Sequence, residues 1–163
     1  MRDDHLLQLN AKKVIRCLRP LIARDQLDAI EAEVRRNVAQ LIRLGEAHLR
    51  FARRANGRGG WRQRVSRAYY CVYSASRAVR LEVAGVYSTD SADHKKIGDL
   101  PHDFEDVARW QDVLTKFRAD RNLADYDHSV TEAELEMRSS EYLTVAKEFL
   151  ATVKDYLRKR GAL

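Results

Sequence analysis

Only two prolines, Pro20 and Pro101, and seven glycines interrupt these 163 residues. Sandwiches and barrels need frequent turns and use these two residue types to make them. Such sparse punctuation argues against an all-β domain and for long helices. Hydrophobic residues make up 45% and charged residues 33%, enough for a core and a wet surface, which argues against wholesale disorder. The length suits one domain. The longest stretch without a charged residue is Ala68 to Ser76. A membrane helix needs about 20 apolar residues, so no span is expected. The opening MRDDHLLQLNAKK carries acids and no long apolar run, so it does not read as a secretory leader. Cys17 and Cys71 fall inside helical patterns. They read as small buried hydrophobes in a reducing compartment, and a cytoplasmic location is expected.

Apolar spacing divides the chain into about five helices, giving an all-α antiparallel bundle. The first uses Leu6, Leu7, Val14, Ile15, Leu18 and Leu21 and stops near Pro20. Asp25 can cap the second, with the stripe Leu27, Ile30, Val34, Val38, Leu41, Leu44 and Phe51. Asn56-Gly57-Arg58-Gly59-Gly60 is the clearest loop. The third helix, from Trp61 to about Val83, is apolar nearly all round and so reads as buried. Its tyrosines Tyr69, Tyr70 and Tyr73 have helical spacing and read as core, with base stacking as the other reading. Residues 85–101 read as a polar loop containing His94, and the fourth helix opens near Pro101. Thr131 and Glu134 form a capping box that opens the fifth. Core membership is expected for Tyr69, Val72, Val79, Phe117, Phe149 and Val153.

The charge is uneven. Lys and Arg total 30 against 24 Asp and Glu, a net +6. From Ala47 to Leu81 there is no acid and no lysine, yet nine arginines. The planar guanidinium fork suits phosphate oxygens. One reading is therefore a polyanion-binding face, with Arg62, Arg64 and Arg67 as its RNA-binding candidates. The other is a solvated helix surface paired with acids elsewhere.

Two segments carry a resemblance: Arg67-Ala68-Tyr69-Tyr70-Cys71-Val72-Tyr73-Ser74-Ala75 and Arg121-Asn122-Leu123-Ala124-Asp125-Tyr126-Asp127-His128, with His94-Lys95 between them. This order resembles the HEPN domain family of small helical proteins, from about Arg43 to Leu157. The resemblance implies a HEPN-like domain over residues 41–160 behind an N-terminal helical extension, residues 1–40. Many members are metal-independent endoribonucleases marked by an arginine, a polar residue and, four to six positions on, a histidine. Arg121, Asn122 and His128 match that pattern as catalytic candidates. The resemblance also implies a homodimer acting on RNA, and a toxin held silent by a nucleotidyltransferase antitoxin that modifies a tyrosine, here Tyr126. The alternative it leaves open is a non-catalytic module that binds nucleotide or a transferase partner.

If the helix continues, Arg121 and His128 share one face, roughly 10 Å apart along its axis. That is too far to hold one phosphate together. Antiparallel pairing of two copies would bring Arg121 of one chain to His128 of the other. Histidine can move a proton at a ribose hydroxyl or leaving oxygen, arginine can hold charge on the phosphorus oxygens, and Asn122 can orient the group between them. The bland reading pairs Arg121 with Asp125 one turn on and leaves His128 as a polar link residue. No metal or other cofactor is expected: His94 and His102, with Asp93, Asp99 and Asp103, make only a weak ligand pattern.

Overall fold

A computed structural model of the chain describes Ile15 and residues 19–55, 57, 59–85 and 91–163. These form four α-helices: α1 (Arg24–Arg54), α2 (Gly60–Ala84), α3 (Val107–Tyr126) and α4 (Ser139–Lys159). Short 3-10 turns lie at Arg19–Leu21, Ser91–Lys96 and Glu132–Glu134, and no strand occurs among the described residues. The all-α reading therefore holds, with four α-helices among the described residues where about five are expected for the chain. Most of the expected first helix, Cys17 included, lies outside the described residues. The expected division between residues 40 and 41 falls inside the continuous α1.

α2 is the axis of the fold and packs against α1, α3 and α4. Between Val65 and Glu82 it is buried almost all round, as the charge-free run of apolar and small residues from Ala68 to Ser76 favours. Gly85 ends it in the left-handed region (φ 66°), sending its N–H to the Leu81 carbonyl at 2.8 Å. α1 approaches closely at Gly45. A Cβ there would stand 3.1 Å from the Cys71 backbone oxygen. Burial drives the Cys71 thiol pKa up to about 12, which fits the apolar role expected for it.

The core contains all six expected members, Tyr69, Val72, Val79, Phe117, Phe149 and Val153, each with no exposed surface. The α1 stripe differs in its second half. Ile42, Leu49 and Ala52 are buried, while Leu44 and Phe51 are about half exposed. The buried face winds round the helix so that Gly45 meets α2.

Two helix starts also differ. α3 opens at Val107, six residues after Pro101, because residues 101–106 are spent on a turn. Phe104 closes that turn on the Pro101 carbonyl at 3.0 Å and buries its ring. The Thr131–Glu134 box forms, with the Glu134 carboxylate 2.7 Å from the Thr131 N–H, but it caps only a 3-10 turn. α4 starts five residues later, where Glu132 accepts the Ser139 N–H at 3.0 Å and Glu141 accepts that of Arg138 at 3.2 Å. Those two carboxylates meet free N–H groups and the positive end of the helix.

Candidate functional site

The C-terminal half of α3 carries the candidate catalytic residues. Arg121 faces inward, and its side chain is only 12% exposed. Its Nη2 donates to the Tyr70 hydroxyl on α2 at 2.7 Å, and its Nη1 donates to Asn122 Oδ1 at 3.1 Å. Its Nε lies 2.8 Å from Asp125 Oδ2, an ion pair bent too far for a hydrogen bond. Ser66 on α2 donates to the same Asp125 oxygen at 3.3 Å. The guanidinium also stands 5.1–5.5 Å from the ring centres of Tyr69, Tyr70 and Tyr126. The expected Arg121–Asp125 pairing is thus present as one part of a larger cage.

His128 is placed differently. α3 ends at Tyr126 and Asp127 turns extended, so the condition for one shared helix face is not met within a single chain. His128 is exposed beyond the helix end. Asn122, Leu123, Tyr126, Asp127 and His128 line an open depression of about 580 Å³. Asn122, Tyr126 and His128 therefore meet at one surface, while the Arg121 guanidinium points from that surface toward Tyr70.

The turn beyond α3 is held by Arg62. Its Nη1 donates to the carbonyls of Ala124 (2.9 Å) and Asp127 (2.6 Å), and its Nη2 to that of Val130 (2.7 Å). The Ala124 and Asp127 carbonyls lie at the C-terminus of α3, where a cation is favoured, and that of Val130 in the link beyond it. Arg64 bonds Ser139 Oγ at 2.7 Å and the Ala55 carbonyl at 2.9 Å, tying the start of α4 to the end of α1. Arg67 lies over the exposed Phe51 ring at 4.9 Å. Arg62 and Arg64, read from sequence as candidate phosphate ligands, spend these donors on internal backbone and hydroxyl partners.

A second constellation surrounds His94. The 3-10 turn Ser91–Lys96 lies against the tyrosine face of α2, and the His94 ring stacks on Tyr73 with centres 4.3 Å apart. Tyr69 Oη and His94 Nδ1 are 2.6 Å apart. Asp93 anchors the turn: Arg80 grips both of its oxygens at 2.7–2.8 Å, and the Tyr73 hydroxyl donates to it at 2.9 Å. Burial alone would raise the Asp93 carboxyl pKa, but Arg80 and Tyr73 hold it below its ordinary value. Burial, then Arg121, lowers the His94 pKa, so its neutral ring prevails at neutral pH. The Tyr69 phenol, fully buried, is pushed far up and stays protonated.

Sequence reasoning placed His94 in a polar loop, between the two segments of the resemblance and in a weak ligand pattern, with no role beside the tyrosines. The signal available was the i, i+4 spacing of Tyr69 and Tyr73, which sets two rings on one helix face with room for a third. The weak ligand pattern dissolves in the structure: Asp93 serves Arg80, and Asp103 serves Tyr156 and Arg160. No cluster of three or more His, Cys, Asp or Glu side chains is placed to hold a metal among the described residues. No helix among them is long and apolar enough to cross a membrane. Comparison with protein-family models, with curated proteins and with solved structures found no match.

Proposed function

We propose that this chain is a HEPN-like endoribonuclease that cuts RNA without a metal, acting as the toxin of a toxin–antitoxin or defence pair. The observation that carries the reading is the surface at the end of α3, where Asn122, Tyr126 and His128 line one depression beside a caged Arg121. Arg121 holds the Asn122 carbonyl, which leaves the Asn122 amide N–H groups to donate to a phosphate oxygen. The exposed His128 imidazole takes the 2′-hydroxyl proton, that oxygen attacks phosphorus, and the P–O5′ bond breaks as the 5′-oxygen takes up a proton from water. The products are a 2′,3′-cyclic phosphate and a 5′-hydroxyl end. The pairing of Arg121 with His128 is made between two copies of the chain. Tyr126, 72% exposed, is the residue an antitoxin nucleotidyltransferase would modify.

A specific observation favours a second reading, a non-catalytic module that binds nucleotide or a transferase partner. The guanidiniums of Arg62, Arg64 and Arg121 all have internal partners, as structural arginines do.

Incubation of the purified protein with single-stranded RNA in EDTA separates the two. Cutting that leaves cyclic phosphate ends and spares DNA supports the nuclease reading. His128→Ala and Arg121→Ala should each slow it by about 10²–10³. Wild-type protein that leaves several RNAs intact gives preference to the binding module.

A further inference from the structure

The C-terminal end of α2, residues 96–101 and the first turns of α3 line an open-sided cavity of about 470 Å³. Small-molecule sites measure about 300–1,000 Å³. Gln111 forms the α3 wall, about 16 Å along that helix from Asn122. The cavity is therefore distinct from the depression that holds His128, and the cleavage reading makes no use of it. The segment facing α2 is held in place from below. Ser76 Oγ donates to the Ile97 carbonyl at 2.6 Å, and Arg80 anchors the preceding turn through both oxygens of Asp93.

The lining combines apolar walls with groups of both charges. Val83 and Ala84 supply one apolar wall, Leu100 and Pro101 the other. Arg80 also lines the cavity, with a side chain only 8% exposed. Two of its five N–H donors go to Asp93. The other three, the buried Nε among them, have no acceptor among the described residues. A guanidinium can grip a second carboxylate with such donors, and a buried donor left unpaired is costly. Lys96 and Asp99 are exposed lining residues, and they form no ion pair with each other or with Arg80. Gln111 offers an amide donor and a carbonyl acceptor.

These groups select between ligand classes. A simple carboxylic acid would set its charge against Asp99, and a simple amine would set its charge against Arg80 and Lys96. A zwitterion satisfies all three, and an aliphatic side chain on it covers the apolar walls. We propose that this cavity binds a free aliphatic α-amino acid. Arg80 and Lys96 take its carboxylate, Asp99 takes its ammonium, and the side chain packs against Val83, Leu100 and Pro101. No RNA chemistry is involved, so the site stands or falls apart from the nuclease reading.

Calorimetric titration of the intact protein with L-leucine, glycine, L-leucinamide and N-acetyl-L-leucine tests the site. Leucine should bind saturably. Glycine lacks the apolar side chain and should bind about tenfold more weakly or worse. Leucinamide lacks the carboxylate and N-acetyl-leucine the ammonium, so each should also lose about tenfold or more. Asp99→Asn and Lys96→Met alter exposed side chains, so both variants should melt like the wild type. Each should weaken leucine binding about tenfold. Asp99→Asn should not weaken N-acetyl-leucine, which has no ammonium to lose. In NMR spectra the Gln111 side-chain amide signals should move with leucine while those of Asn122 stay in place. Leucine that gives no saturable response at millimolar concentration overturns the proposal, as does N-acetyl-leucine that binds as tightly as leucine. So does unchanged leucine affinity in a folded Asp99→Asn variant, or a response at Asn122 with Gln111 fixed.

Discussion

Tyr70 and Arg121, 51 positions apart in sequence, are joined by a 2.7 Å hydrogen bond that pins α3 to the central helix. Tyr70→Phe keeps the ring and removes only the acceptor. Loss of a bond to a charged group costs about 1.5–3 kcal/mol. Thermal unfolding should shift down by several degrees, at about 2–4 °C per kcal/mol for a chain of this size. An unshifted melt would mean that solvent replaces the phenol without cost.

Arg62 closes the turn after α3 through the carbonyls of Ala124, Asp127 and Val130. Arg62→Ala strips partners from several helix-end carbonyls at once and should cost about 3 kcal/mol. Arg62→Lys should recover less than half of this, since an ammonium lacks the fork that reaches both sides of the turn. Chemical denaturation of the three proteins measures the difference, and equal stability of the lysine and wild-type forms would contradict it.

Acid should weaken the fold before ordinary carboxylates titrate. Burial, then Arg121, lowers the His94 pKa, while burial, then Arg67, lowers that of His48. Arg77, Arg80 and Asp93 surround the turn that carries His94, and the charges of Arg121 and Arg118 act on it from α3. An unfolded imidazole takes its proton near pH 6.5, and the folded ones take theirs at lower pH. The unfolded state therefore binds more protons in that window, and stability falls as pH drops below about 6.5. Melting temperatures should be level from about pH 7 to 8 and decline toward pH 5. His94→Gln with His48→Gln should flatten that decline.

Gly45→Ala tests the close approach of α1 and α2. Alanine would gain up to about 1 kcal/mol of helix propensity. Its Cβ would stand 3.1 Å from the Cys71 carbonyl oxygen, a backbone atom of the buried helix. Overpacking of this kind costs about 1–3 kcal/mol, so the net effect should be destabilising. Calorimetry showing a stabilised variant would mean that the helices separate freely.

The helical class and the core of α2 are legible in the sequence because period and composition agree there. Tyr69, Val72 and Val79 read as buried and have no exposed surface. The second half of α1 is less legible. Leu44 and Phe51 continue the stripe in sequence, but Gly45 turns the buried face toward Ile42 and Leu49. The α3 end depends on a distant cation: Arg62 makes the turn at Asp127 that sets His128 outside the helix, and no local rule links positions 62 and 127. His94 is illegible for the same reason, since its place is set by Arg80 and Tyr73 acting on Asp93.

The central position of α2 has a consequence during synthesis. One of its walls is α4, whose residues 139–159 are made long after α2 itself. At about 5–20 residues per second, roughly 4–15 s separate the end of α2 from the end of α4. Throughout that interval a nascent chain carries a helix whose charge-free middle, Ala68 to Ser76, lacks its full cover. Sequences that slow translation after residue 84 should therefore raise chaperone capture and aggregation of this protein, even though the finished fold is unchanged.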